Sequence, residues 1–152
     1  MKKFLYLLLL PLIAVAFSSC DDNNEPIDTK LIVGQWEIVS ADHPEYTCIY
    51  NFTTQNQNTW SWGTLTTYYL TVSGNPVYDK VYSWHISDPQ NDDTVYLETT
   101  LQGELDSDDA WGNTDYFIVE KLTSTEMTLR RNTVGDSRTK IKFLRRNDLK
   151  LP

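Results

Sequence analysis

Hydrophobic and polar residues alternate with a period of two along most of the chain that follows residue 30. The pattern is clearest in the ranges 46–52, 78–87 and 95–101, where large side chains occupy every second position. Neighbouring side chains of a β-strand point to opposite faces, so this alternation predicts strands with one buried face. No stretch after the N-terminal leader shows the 3.6-residue period of an amphipathic helix. The alternation therefore predicts an all-β domain.

The segments between the predicted strands are rich in glycine, proline, asparagine and aspartate, which favour tight turns. Eight or nine short strands joined in this way predict an antiparallel up-and-down meander. Its apolar face can be buried in a closed barrel, which has no exposed edge strands, or between the two sheets of a sandwich. Gly34-x-Trp36 in the first strand, and the final segment 141–143, which we expect to pair with that strand, favour the barrel.

The first 19 residues differ from the rest of the chain. Lys2 and Lys3 precede an apolar run, 4–17, that is too short for a membrane-spanning helix and is followed by small residues. This is the pattern of a cleaved signal peptide. Its ending, Ala16-Phe17-Ser18-Ser19-Cys20, resembles the lipobox of bacterial lipoproteins. The resemblance implies cleavage before Cys20 and lipidation of that cysteine; an ordinary signal peptide is the alternative.

Residues 20–30 are acidic and contain a proline, which predicts a tether between the lipid and a domain spanning residues 31–152. Removal of the two leader lysines changes the net charge from −8 to −10. Such an acidic protein repels nucleic acid, which we exclude as a partner. Eight of the 13 Lys and Arg residues nevertheless lie in the range 130–150. We expect a solvated outer face paired with neighbouring acids; a patch for an anionic ligand is the alternative.

Few residues indicate catalysis or metal binding. Cys48 would be the one thiol left after lipidation, and its place in a predicted strand indicates a buried, unreactive cysteine. His43 and His85 lack the spacing of metal ligands. The acidic clusters 92–93 and 106–109 lack the glycine and distal glutamate of an EF-hand loop, so we expect solvated acids there. We therefore predict no catalytic residue, no cofactor, no metal site and no enzyme activity.

Aromatic residues are the informative excess, with five tryptophans and nine tyrosines in the chain. Trp36, Tyr82 and Trp84 fall on the predicted buried faces, whereas Trp60, Trp62 and Tyr69 would line a cavity mouth or an exposed platform. Aromatic faces stack on sugar rings or close over apolar ligands. The predicted ligand-binding residues are Trp60, Trp62, Tyr69, Tyr82 and Trp84.

Several motifs occur together: the lipobox ending at Cys20, the acidic tether, Leu31-x-x-Gly34-x-Trp36 with Val39-Ser40, and the late segments 116–123 and 127–129. Together they resemble the small lipocalin-like lipoproteins of the Bacteroidetes type. Thr114-Asp115-Tyr116 matches in letters the Thr-Asp-Tyr of true lipocalins, although no disulfide secures this domain. The resemblance covers nearly all of the mature chain and implies a lipocalin-like barrel.

Two functions follow as alternatives. The first is a lipid-anchored, non-enzymatic binding protein that holds a small apolar or amphipathic molecule in the barrel. The second is a surface-exposed carbohydrate-binding or protein-interaction module accessory to a glycan-uptake or adhesion system, which requires aromatic side chains pointing outward in a flat row. The acids after Cys20 resemble the surface-export signal of Bacteroidetes lipoproteins, so we expect an outer-membrane lipoprotein facing the cell surface. The periplasmic face is the alternative location.

Overall fold

The structure, a computed structural model, describes residues 26–39, 48–55, 61–87, 94–102, 114–132 and 140–152. These residues form one short 3-10 helix, Thr29–Ile32, and eight strands. The strands are β1 (Gly34–Ile38), β2 (Cys48–Thr54), β3 (Trp62–Leu70), β4 (Pro76–Ile86), β5 (Val95–Leu101), β6 (Thr114–Leu122), β7 (Glu126–Arg131) and β8 (Lys140–Arg146).

Each strand pairs with the next in antiparallel order, and β8 pairs back onto β1 to close a barrel. The closing contact includes the pair Ile38 and Phe143, so the predicted pairing of the last strand with the first is confirmed. The up-and-down barrel is therefore the fold of this chain, and the two-sheet sandwich is excluded. Closure pairs every strand on both sides, which leaves no free sheet edge.

The register shows which side chains share the inner face of the barrel. Trp36 pairs with Tyr50, and Phe52 pairs with Leu65, which in turn pairs with Tyr82. The buried interior of the described residues is apolar: Ile32, Trp36, Phe52, Leu65, Trp84, Ile86, Val95, Leu97, Phe117, Val119, Leu122, Met127, Leu129 and Phe143. The alternation seen in the sequence thus corresponds to an inner apolar face and an outer polar face.

One end of the barrel, which we call the closed end, is sealed by the 3-10 helix. The Trp36 indole Nε1 donates a hydrogen bond of 2.7 Å to the carbonyl of Ile32. The Arg145 guanidinium lies 4.2 Å from the centre of the Trp36 ring and donates to the carbonyls of Leu31 and Val33. Gly34 has φ +132, and the same guanidinium occupies the space that a Cβ would need there. A glycine is therefore required at this position.

The end of the predicted tether forms part of this seal. Ile27 and Leu31 pack against the core, Ile32 is fully buried, and Asp28 caps the 3-10 helix through the amide of Lys30. Residues 20–25 lie outside the described part of the chain.

At the opposite end, which we call the open end, the strand order places the connections β1–β2, β3–β4, β5–β6 and β7–β8. A register shift between Thr66 and Tyr68 on β3 locally changes its pairing with β4. Such bulges re-aim nearby side chains, and this one lies beside Thr67 and Asp79.

Candidate ligand site at the open end of the barrel

Polar side chains gather on the inner face at the open end. Cys48 pairs with Tyr69 and Tyr50 pairs with Thr67, while Asp115 pairs with Thr99 on the far wall. Strand parity places these side chains on the same inner face as the apolar core below them. We call the following eight residues the open-end cluster: Cys48, Tyr50, Thr67, Tyr69, Asp79, Tyr82, Asp115 and Arg131.

Hydrogen bonds through Thr67 hold Asp79 in the cluster. The Thr67 hydroxyl donates to Asp79 Oδ2 at 2.9 Å and accepts from the backbone N–H of Lys80 at 3.2 Å. Thr67 is only 2% exposed, so the position of this hydroxyl is fixed by packing. The fixed hydroxyl anchors one carboxylate at the inner rim of the barrel.

A second carboxylate faces the one guanidinium of the cluster. Arg131 Nη2 lies 3.9 Å from Asp115 Oδ1, and both side chains are partly exposed, at 37% and 46% respectively. Arg131 stands on β7 at the position paired with the buried Phe117, so it occupies an inward-facing position. The loose ion pair is open to solvent and to a ligand that enters from this end.

Burial and nearby acids favour the protonated forms of the Tyr50 and Tyr82 hydroxyls and of the Cys48 thiol. Burial raises the pKa of Tyr50 well above its ordinary value, and burial followed by Asp79 and Asp115 raises the pKa of Tyr82. Burial, with Asp79, raises the pKa of the Cys48 thiol to about 11. A thiol with this pKa is a poor nucleophile near neutral pH. The cluster can therefore donate and accept hydrogen bonds and contact a ligand through three tyrosine rings.

No protein-family model and no curated protein matches this chain. A solved structure, a lipocalin-like protein from Bacteroides uniformis ATCC 8492, is similar to it. The match has a TM-score of 0.41 and 16% sequence identity, and it covers 77% of this chain and 99% of that chain. This chain resembles a lipocalin-like protein. Its own eight strands form the closed antiparallel up-and-down barrel that the sequence predicted.

The barrel brings only two of the predicted ligand-binding residues to the open end. Tyr69, 39% exposed, and Tyr82 both belong to the open-end cluster. Trp84 is instead 2% exposed in the core, where its Nε1 donates to the carbonyl of Thr53 at 3.1 Å. Trp62 lies on the outer wall opposite His85 and is 39% exposed. Trp60 and the lipidation site Cys20 lie outside the described residues.

Six residues of the open-end cluster were absent from the predicted site: Cys48, Tyr50, Thr67, Asp79, Asp115 and Arg131. Two of them carry a signal in the sequence. Asp115 has the same strand parity as the buried Phe117, and Arg131 has the parity of the buried Met127 and Leu129. An ionisable residue at a position of apolar parity is a candidate for an internal site.

Other groups that the sequence singled out lie elsewhere. His85 is exposed on the outer wall, whereas His43 and the acidic clusters 92–93 and 106–109 lie outside the described residues. Among the residues that the structure describes, no group of three or more histidine, cysteine or acidic side chains could hold a metal ion. In the same part of the chain no helix is long and apolar enough to cross a membrane.

The basic C-terminal strands divide between the two faces of the barrel. On the outer wall, Arg130 Nε and Lys140 Nζ each lie 2.7 Å from a carboxylate oxygen of Glu120. These ion pairs agree with the prediction that basic residues on the outer face pair with neighbouring acids. Arg131 and Arg145 face inward, at opposite ends. A groove of about 460 Å³ runs along the outer wall between Glu120, Lys121, Glu126, Thr128, Lys140 and Lys142. Its acids and bases pair with one another, so it is a weaker candidate for a ligand site than the open end.

Proposed function

We propose that this protein is a non-enzymatic binding protein that takes a small amphipathic molecule into the open end of its barrel. The observation that supports it is the open-end cluster: three tyrosines, two carboxylates and a guanidinium on the inner face, above an interior packed with apolar side chains. Ligand sites in proteins combine apolar and aromatic walls with a few polar groups that orient the ligand. Because the interior below is filled by the chain itself, the ligand rests at the rim.

Partly buried apolar side chains of the barrel provide a surface for the apolar part of such a ligand. Leu101 pairs with Tyr82 and Ile141 pairs with Leu129, and both side chains are only partly buried at the upper edge of the core. The polar part of the ligand then lies among the hydroxyls and charges of the open-end cluster. This arrangement favours an amphipathic ligand over a wholly apolar one, since an apolar molecule would leave the two carboxylates desolvated.

A fluorescent amphipath tests the proposal on the purified full-length protein. We expect 1-aminoanthracene, which is neutral near pH 7, to bind with a blue shift, and Tyr69→Ala and Tyr82→Ala to weaken binding. Tyr96→Ala removes a tyrosine of similar exposure on the outer wall and serves as the matched control. Native mass spectrometry of protein from its own cells should also show an added small molecule. Binding that is absent, or equal in all four proteins, would refute the proposal.

The membrane anchor is part of the proposed function. We propose that lipid on Cys20 holds the barrel on the outer membrane, facing the cell surface, with the 3-10 helix at the tethered end. The lipobox and the acidic tether support this location. Cys20→Ala should move the protein from the membrane fraction to the soluble fraction, and proteinase K added to intact cells should remove the wild-type domain. Full protection in intact cells would place the domain on the periplasmic side.

A specific observation favours a second candidate function, the binding of glycans on the outer wall. Trp62, His85, Glu98 and Tyr116 form one row across β3 to β6. Trp62 and Tyr116 are 39% and 40% exposed, and about 14 Å of sheet separates them. The adjacent outward row is built of hydroxyls: Thr64, Ser83, Thr100 and Thr114. Exposed rings beside hydroxyls suit stacking and hydrogen bonding to sugars.

Affinity electrophoresis in gels that contain neutral polysaccharides separates the two candidates. If the outer wall binds glycans, a Trp62→Ala and Tyr116→Ala double variant migrates faster than wild type in at least one polysaccharide gel. Tyr69→Ala, at the open end, serves as the control and should migrate like wild type. Equal migration of all three proteins in every gel would remove this candidate.

A further inference from the structure

Basic side chains line the groove on the outer wall of β6, β7 and β8, which we call the outer-wall groove. Thr128 on β7 lies at its centre, paired with Lys121 on β6 and with Lys142 on β8. Thr128 alternates with the buried Met127 and Leu129, so its side chain points outward. The two lysines therefore flank one outward hydroxyl across three adjacent strands, of which the first and third lie about 10 Å apart.

The outer-wall groove contains more positive than negative charge. Its lining includes three lysines and two glutamates: Lys121, Lys140, Lys142, Glu120 and Glu126. Lys121 Nζ lies 2.6 Å from Glu126, and Lys140 Nζ lies 2.7 Å from Glu120. Arg130 Nε, also 2.7 Å from Glu120, adds a fourth cation at the edge of the groove. Among these described side chains both carboxylates are paired, and two positive charges remain in excess.

The ionisation of Glu126 shows that the cations on both sides of Thr128 act on one space. The pKa of Glu126 is lowered first by the hydrogen bond from Lys121 and by the charge of that lysine. Lys142, on the other side of Thr128, lowers the pKa of Glu126 further through its charge. An anionic group between the two strands would experience the same positive potential that favours the ionised form of Glu126.

One side of the groove is apolar. Val39 and Leu144 belong to its lining and are 45% and 44% exposed. The backbone N–H of Val39 donates to the carbonyl of Lys142 at 2.9 Å, and Leu144 pairs with Glu126, so both apolar side chains lie beside the charged row. Ligand sites combine apolar walls with a few polar groups, and this one suits a ligand that has an acidic group on an apolar body.

The charge of the whole chain limits the size of the anion. The chain carries a net charge of −8, so an anionic membrane or a long polyanion would be repelled outside the groove. Charges more than about 8 Å apart are largely screened at physiological ionic strength. A small ligand in a groove of about 460 Å³ therefore experiences mainly the local excess of cations. Two excess charges match a phosphate monoester, which carries about −1.5 to −2 charges near pH 7.

We infer that the outer-wall groove binds a small phosphate monoester with an apolar body. The phosphate lies over Thr128, between Lys121 and Lys142. The apolar body lies against Val39 and Leu144. Lysine binds phosphate as a point charge, and the Thr128 hydroxyl donates to a phosphate oxygen. This site lies on the outside of the barrel, so it goes beyond the proposed function, and both ligands can bind at the same time.

Three phosphates test the inference by titration calorimetry on the full-length protein at physiological ionic strength. Phenyl phosphate has both the double charge and the apolar body, phenyl methyl phosphate has the body with a single charge, and inorganic phosphate has no body. We expect phenyl phosphate to bind about five-fold more tightly than either of the others, because each of them lacks one of the two features that the groove offers.

Substitutions in the groove should change the affinity for phenyl phosphate in opposite directions. Lys142→Met should weaken binding about five-fold, whereas Glu126→Gln, which removes the carboxylate that competes for Lys121, should tighten it about five-fold. Damage to the fold would not increase affinity. Leu144→Ser should weaken binding of phenyl phosphate and leave that of inorganic phosphate unchanged. Lys80→Met removes an exposed lysine of β4 and is the matched control, with wild-type affinity.

The inference is wrong if phenyl phosphate does not bind, if the other two phosphates bind as tightly, or if Glu126→Gln fails to increase affinity. It is also wrong if 1-aminoanthracene displaces phenyl phosphate and Tyr69→Ala weakens its binding, because the phosphate then lies at the open end and the proposed function stands. If 1-aminoanthracene does not bind while phenyl phosphate behaves as expected, the proposed function falls and the inference stands. Circular dichroism of each variant separates lost affinity from lost fold.

Discussion

The closed and open ends of this barrel use polar groups in opposite ways. At the closed end, the indole of Trp36 and the guanidinium of Arg145 bind backbone carbonyls of the N-terminal segment and stack on each other. At the open end, the side chains of Tyr69, Asp115 and Arg131 remain partly exposed to solvent. Polar groups that are satisfied inside the chain stabilise the fold, whereas groups that face a recess remain available to a ligand.

The comparison predicts that stability depends on the closed end far more than on the open end. Trp36→Ala empties a fully buried aromatic site and removes the bond to Ile32, so we expect unfolding free energy to fall by about 3–5 kcal/mol. Tyr69→Ala, whose side chain is 39% exposed, should cost under about 1 kcal/mol. Urea denaturation measures both. Equal midpoints for the two variants would show that the closed end is not the stability centre.

Arg145→Met tests the contribution of the closed end a second time, and we expect it to lower the free energy of unfolding by less than Trp36→Ala does. Methionine keeps much of the volume over Trp36 but leaves the carbonyls of Leu31 and Val33 without their charged donor. We expect a loss of about 1.5–3 kcal/mol, the range for hydrogen bonds to charged groups. Arg130→Met, which breaks an ion pair with Glu120 on the outer wall, should cost under about 1 kcal/mol. Thermal melts that rank the two variants in reverse order would contradict this account.

We expect the smallest change in stability from deprotonation of Cys48, at the open end, at alkaline pH. Burial, with Asp79, raises the pKa of Cys48 from 9.0 to about 11, so its protonated thiol favours the folded state below about pH 9. Because this pKa is higher in the folded protein, its contribution to stability is lost progressively as pH rises from about 9 to about 11. Wild type should therefore lose stability faster than Cys48→Ala across that window. Parallel pH profiles in urea would argue against a buried, acid-flanked thiol.

The sequence by itself determined the strand pattern and the identity of the inner face. Period-two alternation placed Tyr82, Trp84 and Ile86 on one face, and the register confirms that face as the interior. The first and last strands were paired correctly because closure of an up-and-down meander leaves each of them no other free neighbour. Alternation is local, so it can be read without the fold.

The tertiary structure alone decided how far along the barrel axis, between the closed and the open end, each inward-facing residue lies. Tyr82 and Trp84 share a face and a strand, yet only Tyr82 reaches the open end, while Trp84 is buried against Phe52. Strand tilt and the register shift near Thr66 set these levels, and neither follows from the period of the pattern. Asp79 has the opposite parity to Tyr82 and joins the cluster at the irregular β3–β4 pairing through its bond to Thr67. The ligand site therefore depends on distances across strands that are far apart in sequence, whereas the alternation records only which face each residue occupies.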